Sequence, residues 1–267
     1  MPNLLKAAIL GIVQGLTEFL PVSSTAHLLI SSKLIGFNDP GGVFTVMIQL
    51  GSIVAVMWLY REKLIAVATG LPSSVEARTF AFKIVLATVP ALVAGALFSK
   101  FVKSVLYGSF AVIATAFIVG GIIMLIVERN RPAPDVRDVD SLPVGRAFAV
   151  GAFQALALVP GVSRSGGTIV AAMAMRVDRA AAAEFTFFLA MPTMAAAFAH
   201  DLLEVRHDLA SARGAEIAVG FAMAFISSAL IVKPFLGYVR RSGFAPFAWY
   251  RIAIGIALLG AVFAGWM

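Results

Sequence analysis

Residues 15–30 read GLTEFLPVSSTAHLLI, an apolar stretch that a proline and a polar cluster interrupt. Glu18 stands before Pro21, and three hydroxyl side chains (23–25) and His27 follow it. An ionisable group such as Asp, Lys or Arg inside a membrane segment costs about 2.5–3.5 kcal/mol on insertion scales. The stretch therefore raises the question of what its carboxylate and its imidazole face.

The composition of the whole chain is that of a membrane protein. Of 267 residues, 60% are hydrophobic and 13% are charged, whereas soluble domains are nearer half apolar and a quarter charged. The apolar residues form blocks of about 20, the length that crosses a ~30 Å hydrocarbon layer as a helix. A bundle of cytosolic core helices is the disfavoured alternative. The blocks predict six spanning helices, at 42–60, 80–98, 108–127, 184–200, 216–236 and 246–265.

Charge and cysteine content exclude several function classes. The net charge of +7 comes from Lys and Arg in short loops between apolar blocks, which is typical of membrane orientation and not of a nucleic-acid-binding face. We therefore expect no nucleic-acid partner. The chain has no cysteine, which excludes disulfides, thiol catalysis and zinc–thiolate sites.

A second broken segment indicates an internal repeat. Residues 144–175 are apolar around VPGVSRSGGT (159–168), just as residues 4–35 are apolar around the first break. Offsetting the two segments by 140 positions aligns identical residues at several positions, among them Gly11 with Gly151, Gln14 with Gln154, Val22 with Val162, and Ser23 with Ser163.

We predict an all-α, polytopic membrane helical bundle. Non-helical backbone cannot face lipid, and the pieces of each broken segment (for example 4–19 and 22–35) are short for full spans. Each half is therefore predicted as one re-entrant helix hairpin plus three spanning helices. Three is odd, so the second half is inserted upside down, which gives an inverted-topology repeat. The single membrane domain, 1–267, then divides into a first half at 1–127, a linker at 128–143 and a second half at 144–267.

The basic residues of the loops predict the orientation. This topology places twelve Lys and Arg on one side and six on the other, and the richer side is expected to be cytoplasmic. Both termini are then outside. The twelve are Arg61, Lys63, Arg78, Lys83, Arg129, Arg131, Arg137, Arg146, Arg176, Arg179, Arg240 and Arg241, and the six are Lys6, Lys33, Lys100, Lys103, Arg206 and Arg213.

The first break carries an acid beside a predicted helix start. Gln14 and Glu18 are four residues apart and share one helix face. Pro21 is expected to end that helix, because proline lacks the amide donor and clashes with the preceding turn. The next helix is predicted to begin near residues 23–25, since Ser and Thr are good N-caps, and His27 then shares its first turn.

The second break carries a basic side chain. Arg164 has a planar fork that suits a pair of phosphate oxygens, and the hydroxyls of Ser163, Ser165 and Thr168 surround it in sequence. If the inverted halves pack together, the two breaks meet, and two helix N-termini that favour anions converge with them. The alternative is a structural ion pair between Glu18 and Arg164 that only holds the halves together.

The two breaks resemble the signatures of a known family. QGLTEFLPVSSTAH (14–27) resembles its glutamate-rich signature and PGVSRSGGT (160–168) its second one, and the likeness extends to IQLGS (48–52) and EFTFFLAMP (184–192). The family is the integral-membrane undecaprenyl-diphosphate phosphatases of the bacitracin-resistance type. Gln14 stands where the family has Glu or Gln, and a glutamine cannot act as a base.

The resemblance implies a hydrolase that removes the terminal phosphate of undecaprenyl diphosphate. Its product is the lipid monophosphate that is reused in peptidoglycan synthesis for the cell wall. It also implies a divalent cation, Mg or Ca, with Glu18 as a ligand, and a site that opens to the periplasmic side of the bacterial inner membrane. The expected partners are a polyprenyl diphosphate and membrane lipid, and a homodimer is left open.

The residue roles are hypotheses at this stage. Ser24 is the expected nucleophile, His27 its base or the acid for the leaving phosphate, and Glu18 holds the cation or orients the acid–base group. Arg164 is expected to clamp the diphosphate oxygens. A rival scheme makes His27 the nucleophile, and a rival function is a lipid-phosphate flippase or anion transporter of inverted-repeat fold. The predicted substrate-binding residues are Gln14, Ser23, Thr25, Ser163, Ser165 and Thr168.

Overall fold

The computed structural model describes residues 1–39, 42–205 and 213–266. It is built from helices, and the described residues form no strand beyond an isolated bridge between Val136 and Val177. The helices are α1 (Asn3–Thr17), α2 (Ser24–Ile35), α3 (Val43–Leu59), α4 (Arg61–Gly70), α5 (Val75–Phe101), α6 (Phe110–Asn130), α7 (Val144–Gln154), α8 (Arg164–Ala174), α9 (Arg179–Val205), α10 (Gly214–Ser242) and α11 (Ala245–Phe263). A π-helical turn (Val102–Leu106) follows α5 and a 3₁₀ turn (Ala155–Leu158) follows α7.

The predicted all-α membrane bundle is confirmed. Within the described part of the chain, five helices are long and apolar enough to cross a membrane, and a sixth is reached if α3 and α4, bent by 72°, count as one span. Each of the six predicted blocks overlaps one of α3, α5, α6, α9, α10 and α11. Helix α9 is the central one, since 61% of its most apolar window is buried against 22–28% for the other four.

Each broken segment folds back on itself as a helix pair. Lys6, near the start of α1, donates from Nζ to the carbonyl oxygen of Gly36, just after α2, at 2.8 Å. Arg146 near the start of α7 and Arg176 just after α8 both form ion pairs with Asp135. The outer ends of each pair therefore lie side by side. That each pair enters and leaves a membrane on one side stays a prediction.

One helix of each pair packs on a long helix of the other predicted half. Helix α1 packs on α10 so closely that a Cβ at Gly11 would lie 2.3 Å from the carbonyl oxygen of Gly220. Helix α7 packs equally closely on α5, where a Cβ at Gly151 would lie 1.9 Å from the oxygen of Ala87. Gly11 and Gly151 are one of the pairs that the repeat aligns. Their two close helix contacts are therefore equivalent, which supports the inverted repeat. The division of the chain into halves stays a prediction.

The predicted linker is partly helical and firmly packed. Helix α6 runs to Asn130 and takes the first three residues of the predicted 128–143 linker. Farther on, Val136, Val139 and Leu142 are buried, and the carbonyl of Asp140 accepts a hydrogen bond from Lys83. Lys83, like Arg146 and Arg176, is one of the twelve basic residues on the side predicted to be cytoplasmic. Several of these twelve residues therefore lie around this segment. Of the smaller group, Arg206 lies outside the described residues.

Candidate active site

The two breaks meet inside the bundle, as the sequence predicts. Arg164 donates from Nη2 to Oε1 of Glu18 at 2.9 Å, and both side chains are largely buried. A second contact joins the breaks where the hydroxyl of Ser165 donates to the carbonyl oxygen of Leu20 at 2.7 Å. The acid of one broken segment and the guanidinium of the other therefore share one site.

Glu18 is the centre of this site. Its Oε2 accepts a hydrogen bond from the hydroxyl of Ser24 at 2.6 Å and one from Nε2 of Gln14 at 2.8 Å. Helix α1 ends at Thr17, a turn before Pro21, and Glu18 caps it, which directs the carboxylate toward the start of α2. Hydrogen bonds to an ionised acceptor are shorter and stronger than neutral ones, so Ser24 is held with its hydroxyl on the carboxylate.

The structure does not bring His27 to Ser24. Its Nδ1 lies 2.8 Å from the carbonyl oxygen of Ser23, and its Nε2 lies 2.7 Å from the hydroxyl of Tyr250 on α11. A carbonyl only accepts, so Nδ1 carries the proton, and a neutral ring then accepts from Tyr250 at Nε2. The expected pairing of His27 with Ser24 is therefore wrong, and Glu18 takes that place.

His27 faces away from Ser24 because of the backbone conformation at the start of α2. Ser23 has a φ of 68°, in the left-handed region where a non-glycine residue costs about 1–3 kcal/mol. This turn sets the phase of the following helix, so that Ser24 points toward Glu18 and His27 points toward α11. Sequence spacing alone does not reveal such a turn.

The predicted substrate-binding residues divide into two groups. Ser23, Thr25 and Ser163 line the central cavity. Ser165 and Thr168 do not, because their hydroxyls donate to the carbonyl oxygens of Leu20 and Arg164. Gln14 is fully buried against Glu18 and also stays behind the cavity wall. We therefore infer that Ser165, Thr168 and Gln14 support the cavity wall from behind and do not line the cavity.

The cavity has a volume of about 450 Å³ and lies between the two breaks and the C-terminal halves of α5 and α9. Glu18, Ser24 and Arg164 lie on its wall, and small residues of α5 and α9 line much of the remainder. It extends to Ser99 at the end of α5 and to His200 and Asp201 near the end of α9. The apolar wall includes Ala91, Leu92, Gly95, Ala96, Ala196 and Ala197.

Two residues that line this cavity carry polar atoms without a partner among the described residues. Nη1 of Arg164 and Oε1 of Gln154 are buried and have no hydrogen-bond partner among the described residues. The first turn of α2 also lacks a side-chain cap from Ser23, whereas the first turn of α8 is capped by Ser163, which accepts from the amide of Gly166. An uncapped helix start next to an unpaired guanidinium nitrogen is a suitable site for phosphate.

The residues fit a divalent cation only together with a substrate. The described residues contain no group of three or more His, Asp or Glu side chains that could hold a metal ion. Glu18 supplies one carboxylate, whereas Oε1 of Gln14, which has no hydrogen-bond partner among the described residues, is fully buried. Mg²⁺ is usually bound by one or two carboxylates plus substrate phosphates. The site therefore suits a cation that binds with a diphosphate.

Sequence reasoning misses three residues of this region. Gln154 enters the sequence analysis only as the repeat partner of Gln14, and that pairing is itself the signal. Nothing in the sequence points to the bond of Tyr250 with His27. Arg251 stands inside the apolar block 246–265, and an ionisable residue within a span was the available signal.

Comparison with known proteins decides the family. The model of the family described as "Bacitracin resistance protein BacA" matches residues 7–257, which include both breaks. The chain belongs to the BacA family. The match ends inside α11 and includes all of the residues that line the cavity described above.

Relatives within the BacA family cover the same length. "Undecaprenyl-diphosphatase 1" of Agrobacterium fabrum is 48% identical over 253 residues, 95% of this chain and 94% of that protein. "Undecaprenyl-diphosphatase" of Phenylobacterium zucineum is 48% identical over 266 residues, 99% of this chain and all of that protein. The protein of the same name from Caulobacter vibrioides is 46% identical over 263 residues, 98% of this chain and 99% of its own.

Proposed function

We propose that this chain is an undecaprenyl-diphosphate phosphatase. It hydrolyses the lipid diphosphate to undecaprenyl phosphate and inorganic phosphate. Full-length relatives that carry the name undecaprenyl-diphosphatase support this function. The observation that carries it in the structure is the hydroxyl of Ser24, bonded to Glu18 at 2.6 Å, next to the guanidinium of Arg164.

Ser24 is the nucleophile in this proposal and Glu18 is its base. The proton of Ser24 passes to Oε2 of Glu18 as Oγ forms a bond to the terminal phosphorus. The bond between that phosphorus and the bridging oxygen breaks, and undecaprenyl phosphate leaves with the electron pair. Arg164 stabilises the charge on the phosphoryl oxygens through Nη1, because charge neutralisation and positioning supply most of the catalysis in phosphoryl transfer.

Water completes the reaction. Glu18 releases its proton to solvent and then takes a proton from a water molecule that attacks the phosphoserine. The bond from phosphorus to Oγ breaks, the proton returns to Ser24, and hydrogen phosphate is released. One carboxylate therefore acts as base in both steps, as enzymes with a covalent intermediate commonly use one group twice.

A divalent cation, Mg or Ca, is part of this proposal. Glu18, which lies on the cavity wall, would hold it beside the diphosphate. When bound, the cation would neutralise phosphate charge and polarise the phosphoryl group.

The rival nucleophile is His27, and its contacts count against it. Both of its ring nitrogens are engaged outside the cavity, by the carbonyl of Ser23 and the hydroxyl of Tyr250. Attack by His27 would require both contacts to break and the ring to turn into the cavity. Ser24 requires no such movement.

We also propose that the protein lies in the bacterial inner membrane with its cavity open to the periplasmic side. The cavity reaches the C-terminal end of α5, the end that carries Lys100 of the smaller basic group. The richer basic group is expected to be cytoplasmic, so the open end and both termini lie outside. A cysteine introduced next to Asn3 in this cysteine-free chain should react in whole cells with a membrane-impermeant maleimide, and protection of that cysteine would reverse the orientation.

The test is phosphate release from undecaprenyl diphosphate by purified protein in detergent, with and without a chelator. Ser24→Ala is expected to lower kcat more than about a hundredfold, since removal of a nucleophile disables the whole catalytic unit. Ser31→Ala, on the same helix and away from the cavity, is the matched control and should keep wild-type turnover. A radiolabelled terminal phosphate should be trapped on Ser24.

Two results would overturn the proposal. Near-normal turnover by Ser24→Ala would remove Ser24 from the attack. Absence of phosphate release by the wild type, together with movement of labelled lipid phosphate across proteoliposomes, would favour the flippase or transporter.

A further inference from the structure

Arg251 is a buried charge that the proposed mechanism does not use. It lies in the first turns of α11 and is only 2% exposed, which makes it the largest fully buried side chain described. A guanidinium at this depth must be compensated by hydrogen bonds, because a charge within a membrane segment is costly. The groups that accept hydrogen bonds from Arg251 indicate its role.

Three backbone carbonyls accept its hydrogen bonds. Nη1 donates to the oxygen of Pro21 at 3.2 Å. Nη2 donates to the oxygens of Ala116 at 3.0 Å and Gly161 at 3.1 Å. Pro21 belongs to the first break, Gly161 to the second and Ala116 to helix α6. One side chain therefore joins both breaks to a spanning helix.

The two breaks are joined at equivalent points. Pro21 precedes Ser24 by three residues, and Gly161 precedes Arg164 by three residues. Both carbonyls belong to non-helical backbone, which in a membrane protein needs a partner inside the protein. The distance between the candidate nucleophile and the phosphate-binding guanidinium is thus set through short, fixed pieces of chain that end on the same side chain.

The surroundings leave this guanidinium little room to move. A Cβ at Gly120 would lie 2.3 Å from its Nη2, and one at Gly166 would lie 3.3 Å from its Nη1. The ring of Phe117 lies 5.3 Å from its Cζ, within the range of a cation–π contact. Helices α6 and α8 therefore confine the planar fork in the orientation that reaches all three carbonyls.

We propose that Arg251 is a positioning residue that holds Ser24 and Arg164 at their reactive separation. The inference rests on the proposed phosphatase function and extends it to a residue outside the cavity. Arg251 acts through the backbone of the two breaks and does not touch the phosphate. Misplacement of reacting groups by about 1 Å can cost about a hundredfold in rate, so its loss should lower kcat and leave substrate affinity nearly unchanged.

The first variant is Arg251→Lys. An ammonium carries its donors on one atom and cannot span carbonyls that Nη1 and Nη2 reach separately. The expected result is a fall in kcat of about 10- to 100-fold per folded molecule, with KM changed by less than about threefold. Arg179→Lys is the matched control, because Arg179 is a partly buried arginine that pairs with Glu128 away from the cavity. It should keep the kcat of the wild type per folded molecule.

A second variant keeps the arginine and displaces it. Gly120→Ala places a methyl group against the guanidinium, and the three nearest atoms that it would meet all belong to Arg251. It should reproduce the fall in kcat. Gly121→Ala is its control, since its methyl group would meet Ile252 and the carbonyl of Ala248 in the packing of α6 on α11, and would approach Arg251 only at Cβ, at an ordinary contact distance of 3.4 Å. An equal loss of kcat in Gly121→Ala would mean that helix packing is responsible and would overturn the inference.

The outcomes separate this inference from the function itself. If the wild type releases no phosphate, the proposed function fails and no variant is needed to show it. If the wild type is active and Arg251→Lys has wild-type kcat per folded molecule, the function stands and the positioning role is refuted. Folded molecules are counted by the fraction that elutes as a monodisperse species and unfolds cooperatively on heating.

Discussion

The replacement Glu18→Gln tests the chemistry of the site most directly. The two side chains have nearly the same shape, but the amide carries no charge and turns one acceptor atom into a donor. Three groups donate to the carboxylate: Ser24 at 2.6 Å, Gln14 at 2.8 Å and Arg164 at 2.9 Å. A glutamine cannot accept from all three, so at least one donor loses its partner and Ser24 loses its base.

The expected size of the effect follows from these contacts. Loss of a general base lowers the rate by about 10²–10⁴-fold, which corresponds to about 3–5 kcal/mol at 1.36 kcal/mol per factor of ten. Breaking a buried ion pair by removing one partner costs about 3–5 kcal/mol of stability. The side chain of Arg164 is 13% exposed at the cavity, so we expect the lower end of that range. Activity should therefore fall far more than the folded fraction does.

The assay is phosphate release from undecaprenyl diphosphate, normalised to folded protein and measured beside thermal unfolding. Glu128→Gln is the matched control, because the side chain of Glu128 is also largely buried and pairs with an arginine, Arg179. It should lose a comparable amount of stability and keep its kcat. Turnover of Glu18→Gln within a factor of three of the wild type per folded molecule would refute the role of Glu18 as base.

Two further substitutions probe the supports of the site. Tyr250→Phe removes the donor to Nε2 of His27 and should lower the free energy of unfolding by about 1 kcal/mol. Its kcat should change by less than about tenfold, because loss of an acid–base catalyst would cost a hundredfold or more; a larger fall would return His27 to the chemistry. Gly151→Ala places a methyl group 1.9 Å from the oxygen of Ala87 and should cost about 1–3 kcal/mol of stability by overpacking. Gly145→Ala, on the same helix with open space around it, should be neutral or stabilising in the same thermal unfolding assay, and equal effects of the two would contradict the close packing of α5 and α7.

Much of the fold could be predicted because its signals are local. Apolar composition alone predicts a spanning helix at 108–127, and the structure has α6 at Phe110–Asn130. The Pro160-Gly161 pair predicts the helix break before Arg164. Gly161 has a φ of 90°, which suits glycine and strains other residues. The meeting of Glu18 with Arg164 required one further step, the assumption that similar segments of inverted halves occupy equivalent places.

The remainder depends on contacts that no local pattern encodes. Helix α4 (Arg61–Gly70) was not predicted, because it is short and none of its residues is fully buried. The ring of His27 was predicted to face Ser24, and the turn at Ser23 directs it to a tyrosine 223 residues away. The carbonyls that Arg251 reaches lie 90 to 230 residues away in the chain. Partners at such distances follow from packing and from the need to satisfy buried polar groups.

The seating of α1 on α10 has a consequence for biogenesis. Helix α1 ends at Thr17 and α10 begins at Gly214, so the ribosome must add about 200 residues, a delay of roughly 10–40 s at ~5–20 residues per second, before the first helix meets its neighbour. For most of this delay the nascent acid has no arginine beside it, since Arg164 is made only shortly before α10. A ribosome that stalls before Arg164 therefore leaves a chain whose early spans are inserted and whose catalytic centre has not assembled.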